Sequence, residues 1–127
     1  SGAGFVDLTR EVAKFLTEID AREGALTVFI RHTSASLTIQ ENADPDVLLD
    51  MRDFFERLVP EEGEHFRHTA EGPDDMTSHI RSALTQTSLS IPLIGGRLAL
   101  GTWQGLYVFE HRSVPHRRNV VLQLLAE

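Results

Sequence analysis

The chain's strongest chemical potential lies in one stretch, His68-Thr69-Ala70-Glu71-Gly72-Pro73-Asp74-Asp75-Met76-Thr77-Ser78-His79, which carries two histidines and two adjacent aspartates. Gly72-Pro73 breaks whatever precedes it, and Asp74 or Asp75 is expected to cap a helix running from about Met76 to Leu84. On that helix Asp75 and His79 are four apart, so both project from one face, close enough to share a metal ion, an anion-bearing ligand or each other. His32, His111, Asp74 and Glu110 complete the set. Three imidazoles on separate elements, one held by a carboxylate, are the usual recipe for a catalytic zinc-type site with an open position. With no cysteine in the chain, a transition metal must sit in histidine, carboxylate and water. Six histidines in a chain of this size also arise without any metal.

Three further segments are rich in polar chemistry. Arg31-His32-Thr33-Ser34-Ala35-Ser36 places hydroxyls and a histidine at the end of an apolar run, which suits a phosphate or a water cluster, or else structural hydrogen bonding. Gly101-Thr102-Trp103-Gln104-Gly105 sets two glycines around a Trp-Gln pair inside a strand pattern, the signature of a bulge or a close backbone approach. His111 to Arg118 is a basic, proline-bearing loop whose charges either bind an anion or pair with the acidic excess elsewhere. No glycine-rich nucleotide-binding signature, no serine flanked by glycines in a hydrolase elbow and no H-E-x-x-H is present.

The elements that must position these groups follow from periodicity. Phe5–Leu8 reads as a short strand and Thr9 as the cap of a helix from Arg10 to about Ala21, with Val12, Phe15, Leu16 and Ile19 on one face. Residues 25–30 form a nearly continuous apolar run, hence a central strand, and Leu37–Gln40 a second. Asp44-Pro45-Asp46 opens a helix to about Leu58 with cap, N1 proline and first-turn acid in order. Residues 60–64 are an acidic solvated loop. Leu89–Ile94 is an edge or bulged strand because of Pro92. Gly95-Gly96 is a hairpin turn. Arg97–Leu100 begins a return strand that resumes at residues 106–110, and residues 119–125 close the chain. About five to seven strands with three helices, in antiparallel or mixed sheets, make a single α+β domain over residues 1–127.

Composition narrows the classes. A formal charge of −7, from 12 basic and 19 acidic residues, argues against non-specific binding to nucleic acid or an anionic membrane. No apolar run approaches the roughly 18–20 residues of a membrane span, and no secretory pattern is visible, so a cytoplasmic location is the default expectation. No expectation is drawn from Ser1 to Gly4.

Taken together, His32-Thr33-Ser34-Ala35-Ser36, Glu41-Asn42, His68 with Glu71 to Met76 and His79, Gly96 to Gly105, and Glu110-His111-Arg112 resemble the YjbQ family over roughly Asp7 to Leu124. The resemblance implies an α+β trimer with a polar site near the subunit junction. It also implies a divalent metal, zinc or else magnesium, and a secondary thiamine-phosphate synthase activity joining a hydroxymethylpyrimidine diphosphate to a thiazole phosphate. Carried onto this chain, His32, His68 and His79 would be the metal ligands, with Asp75 a fourth ligand or the group that orients His79. Ser34, Thr102 and Gln104 would hydrogen-bond a bound anion beside Thr33 and Trp103. Glu110 would act as a base or orient a ligand, and Arg112 and Arg118 would neutralise phosphate. The alternatives are a zinc-dependent hydrolase of a small phosphorylated or carbonyl compound, and a non-enzymatic ligand-binding trimer. Three histidines favour zinc, whereas diphosphate chemistry commonly uses magnesium.

Overall fold

The computed structural model describes residues 4–61 and 66–126, so the acidic stretch at 60–64 and the leading Ser1 to Gly4 fall partly outside the described residues. The elements run β1 (Gly4–Asp7), α1 (Thr9–Glu18), β2 (Gly24–Ile30), β3 (Ala35–Glu41), α2 (Pro45–Leu58), α3 (Asp75–Ala83), β4 (Ser88–Ile94), β5 (Arg97–Leu98), β6 (Gln104–Glu110) and β7 (Val120–Ala126). They build two antiparallel sheets, one ordered β1-β6-β3 and the other β5-β4-β2-β7. Three helices and two sheets in one small unit bear out the α+β expectation.

Alternation along the strands explains the layering. In β2, Leu26, Val28 and Ile30 are buried and meet Ile91 and Leu93 of β4, while Leu37 of β3 and Leu106 and Val108 of β6 approach from the other sheet. Val12 and Leu16, one turn apart on α1, complete this core. The β1-β6-β3 sheet is covered on its outer side as well, where Phe55 of α2 packs edge-on to Phe109, itself stacked on Phe5 at 4.1 Å. Strand β6 is therefore buried from Gly105 to Glu110. No helix among the described residues is long and apolar enough to cross a membrane.

Local chemistry decides where the elements begin. The Asp44 side chain accepts from the Asp46 amide at 2.9 Å, as the Asp-Pro-Asp pattern predicts. At α1 the expected cap moves: Asp7 Oδ1 accepts from the Thr9 amide, and Thr9 Oγ1 instead accepts from the Leu106 amide, tying the helix to β6. Gly95 and Gly96 have φ of 59° and 82°, the conformation a two-residue hairpin needs.

Two strand expectations change. Strand β5 ends at Leu98, and β6 lies in the other sheet, so 97–100 and 106–110 are not one interrupted strand. Strand β4 has neighbours on both sides, yet β5 pairs only with Leu93 and Ile94. Pro92, with no amide hydrogen to offer, sits just past that short ladder and contributes only its carbonyl, to Ala99.

Candidate metal centre

Helix α3 buries a polar face rather than an apolar one: Asp75, Thr77, Ser78, Arg81 and Ser82 are all buried. Each meets backbone or charge. Ser78 Oγ reaches the Asp74 and His111 carbonyls, Ser82 Oγ donates to the Ala35 carbonyl, Thr77 donates to Pro60 and Arg81 to Val59. The helix is thus held by loop carbonyls, which fixes the rotation that sets Asp75 and His79. Asp74 stands at the cap position, but its carboxylate accepts from the Ser113 amide and hydroxyl at 2.8 and 3.0 Å. It pins the loop after β6 instead of capping α3.

Asp75 is the hub. It is 2% exposed. Arg112 donates to its Oδ1 at 2.6 Å and to the Glu71 carbonyl at 2.9 Å. That engagement leaves Oδ2 to face two imidazoles, His68 Nε2 at 2.5 Å and His79 Nε2 at 3.1 Å. Glu71 Oε2 lies 3.4 Å from His68 Nε2. Burial works to raise the Asp75 carboxyl, but the hydrogen bond from His68 and the charges of His79 and Arg112 outweigh it and hold the group below the usual carboxylate range. One donor atom from each of His68, Glu71, Asp75 and His79 lies within 4.8 Å of all the others.

His79 carries a proton constraint. Its Nδ1 is 2.8 Å from the Thr33 carbonyl, which can only accept, so Nδ1 bears the hydrogen. A neutral His79 then turns the Nε2 lone pair toward the ionised Oδ2 of Asp75, two acceptors face to face. Either a second proton on the ring or a metal cation beside Nε2 resolves the conflict. The donor set fits a metal: a backbone hydrogen bond at one ring nitrogen is the usual arrangement that presents the other as a ligand.

The structure gathers only part of the expected site. His68, Asp75 and His79 converge. Thr33 contributes through its carbonyl to His79, and Ser34 through its carbonyl to Arg118 and to the His111 amide. His32 stands outside the donor cluster: its Nε2 accepts from the Asn119 amide at 2.7 Å, and burial, with Arg118 nearby, lowers its pKa. It lines an open groove of about 500 Å³ with Phe29, Arg31, Thr33, Ser34 and Thr87.

Arg118 is spent on Glu110, making two bonds to its carboxylate, and Arg112 on Asp75 with Asp74 close by, so neither guanidinium stands free for phosphate. Burial pushes Glu110 up, but Arg118 more than offsets it. The carboxylate also accepts from the Arg112 amide. Such a group orients the loop and is a poor base. Thr102, Trp103 and Gln104 lie at the far end of β6 from Glu110, roughly 20 Å away at about 3.4 Å per residue. Gln104 Oε1 accepts from the Gly101 amide and closes its own turn. A Cβ on Gly105 would come within 2.9 Å of the Tyr107 ring, so the expected close approach is there.

Glu71 was not among the expected site residues but joins the cluster, and its spacing of three from His68 was the available signal. His111 is fully buried, with Nε2 2.9 Å from Ser36 Oγ, which in turn meets Thr85.

Against this geometry, the family model for UPF0047 protein YjbQ-like matches residues 1–127. The chain belongs to the YjbQ family. A UPF0047 protein of Synechocystis, sll1880, is 60% identical over 106 residues, 84% of this chain and 72% of that one. The Escherichia coli O157:H7 UPF0047 protein YjbQ is 43% identical over 98% of this chain and 90% of its own. Among solved structures, the conserved hypothetical protein TT1486 of Thermus thermophilus superposes with a TM-score of 0.87 at 35% identity, over 98% of this YjbQ-family chain and 94% of its own.

Proposed function

We propose that His68, Glu71, Asp75 and His79 hold a divalent metal, zinc by donor chemistry, and that the chain uses it to hydrolyse a small phosphorylated or carbonyl compound. His79 carries the reading. Its Nδ1 hydrogen is committed to Thr33, and its Nε2 meets an ionised carboxylate oxygen that a cation would reconcile with it. Two imidazoles beside carboxylates suit zinc, whereas magnesium prefers an all-oxygen shell. When bound, the metal supplies Lewis-acid polarisation of a carbonyl or phosphoryl oxygen and activation of water near neutral pH. The chain's own groups frame that chemistry. Arg112 fixes the rotation of Asp75 by holding Oδ1. Thr33 fixes the tautomer of His79. Glu71 is exposed and closes the solvent side of the donor cluster, the side from which a substrate would approach.

A second reading, thiamine-phosphate synthase-like transfer, rests on the resemblance of the segments quoted above. It ranks lower because two phosphorylated substrates need uncommitted cations, and Arg112 and Arg118 both face carboxylates. Elemental analysis tests the metal: stoichiometric zinc is expected in wild type, and His79→Ala (H79A) is expected to hold zinc more weakly, retaining it only when zinc is added in excess. Folded wild type that carries no metal and takes up none when zinc is added contradicts the proposal. The zinc-loaded protein is expected to hydrolyse aryl phosphates or esters at a rate that H79A abolishes. Product from the two thiamine precursors above the H79A background would put the transferase first.

A further inference from the structure

On the His68 side of the donor cluster the surface opens into a cleft of about 340 Å³. His68 belongs to both, since its Nε2 meets Asp75 and the residue lines the cleft. Phe66, Pro73 and Met76 give that cleft an apolar lining, and Glu61 adds a carboxylate. Phe66 and Met76 are half-buried, yet neither joins the hydrophobic core. Buried polar groups anchor the walls. Thr77, the residue after Met76, donates to the Pro60 carbonyl at 2.9 Å and Arg81 donates to the Val59 carbonyl, which fixes the chain leading into Glu61 against α3. Across the cleft, Arg112 holds the Glu71 carbonyl with the same guanidinium that holds Asp75. Clefts of about 300 Å³ and upward, apolar and aromatic in lining with a few polar groups, are what small molecules occupy, and a methionine supplies a polarizable surface that adapts to a ring.

We infer that this cleft binds the organic part of the substrate, a group about the size of one aromatic ring that carries no negative charge. Charge selects the occupant. Glu61 lines the cleft and Glu71 stands 3.4 Å from His68 Nε2, whereas no lysine or arginine lines it among the described residues. An anionic group brought there faces carboxylates with no guanidinium or ammonium to meet it, and like charges so opposed weaken binding. The substrate is then a carbonyl or phosphoryl compound whose reacting group lies at the donor cluster and whose uncharged ring lies toward Phe66 and Met76. That placement rests on the metal reading proposed above; occupancy of the cleft by a ring does not.

The chain holds two methionines, so isotope labelling of their methyl groups gives two NMR signals, Met76 in the cleft and Met51 in α2. In chelator-treated protein, benzyl alcohol is expected to shift the Met76 signal saturably and to leave Met51 in place. Benzoate is expected to bind about fivefold more weakly, the factor that one like charge about 4 Å away imposes in water. Glu61→Gln (E61Q) should narrow that gap, and Phe66→Ala (F66A) should weaken benzyl alcohol roughly fivefold. If F66A does not fold, wild type and E61Q decide. A Met76 signal that stays still, two methyls that move together or benzoate binding as tightly as benzyl alcohol overturns the inference, and so does a preference unchanged in E61Q. Benzohydroxamic acid, the same ring with a metal-binding head, tests the placement: it should bind zinc-loaded protein about tenfold more tightly than the metal-free form. Equal affinity for the two forms overturns the placement. Protein that takes up no zinc overturns the metal reading and the placement with it, while benzyl alcohol still decides whether the cleft takes a ring.

Discussion

His111 shows how one buried side chain ties stability to pH. Its ring lies against Phe109 with centroids 4.4 Å apart, Nε2 meets Ser36 Oγ, and Nδ1 has no partner among the described residues. Burial, reinforced by Arg81, lowers its pKa to about 4. A histidine depressed in the folded state binds its proton more readily when unfolded, so its contribution is complete above about pH 6.5, falls as the pH drops, and is gone below about pH 4. The full difference is roughly 3 kcal/mol. His32 is lowered too and adds a slope of the same sign. Urea unfolding at pH 7.0, 6.0 and 5.0 is expected to show falling stability, and His111→Phe (H111F) a flatter profile. An H111F slope equal to that of wild type would assign the loss to other groups. The carboxylates held low by Arg112 and Arg118 begin to lose their contribution only at lower pH, where the unfolded chain takes up protons that the folded one still refuses.

At the scale of elements, the joints are held by particular small contacts. Removing the Asp44 cap with Asp44→Ala is expected to cost about 1 kcal/mol in chemical denaturation and to leave zinc content unchanged. Gly24→Ala should cost more, because a Cβ there would stand 2.2 Å from the Leu125 carbonyl oxygen where β2 and β7 run together. A Gly24→Ala variant as stable as wild type would mean that this strand pair opens readily. Much of this layer was legible in the sequence. The Asp-Pro-Asp start of α2, the Gly95-Gly96 turn and the apolar run of β2 are each written in local chemistry. That β6 pairs with β1 and β3 instead of continuing β5 was not, because strand partners are chosen by long-range burial that no local pattern records. The site was half legible for the same reason. Asp75 and His79 were paired by helical spacing, whereas Glu71, three residues from His68, was not picked out. That Arg112 closes on Asp75, that Arg118 is consumed by Glu110 and that His32 turns to Asn119 all depend on how the 111–119 loop returns across the sheet.

For the whole molecule, two sheets enclose the core, helices cover one outer face, and the polar cluster sits where α3 meets the loops after β2 and β6. The site is built from segments distant in the chain, so its geometry reports the fold as a whole. Segment 102–104 lies far from it, at the opposite end of β6. On the function proposed above, the fold assembles a metal centre from His68, Glu71, Asp75 and His79. X-ray absorption at the zinc edge on the loaded protein tests it most directly. A shell of nitrogen and oxygen at about 2.0–2.2 Å is expected, with the scattering signature of two imidazoles, falling to one in H79A loaded with excess zinc. An imidazole count unchanged by H79A, or protein that holds no zinc at all, would contradict it.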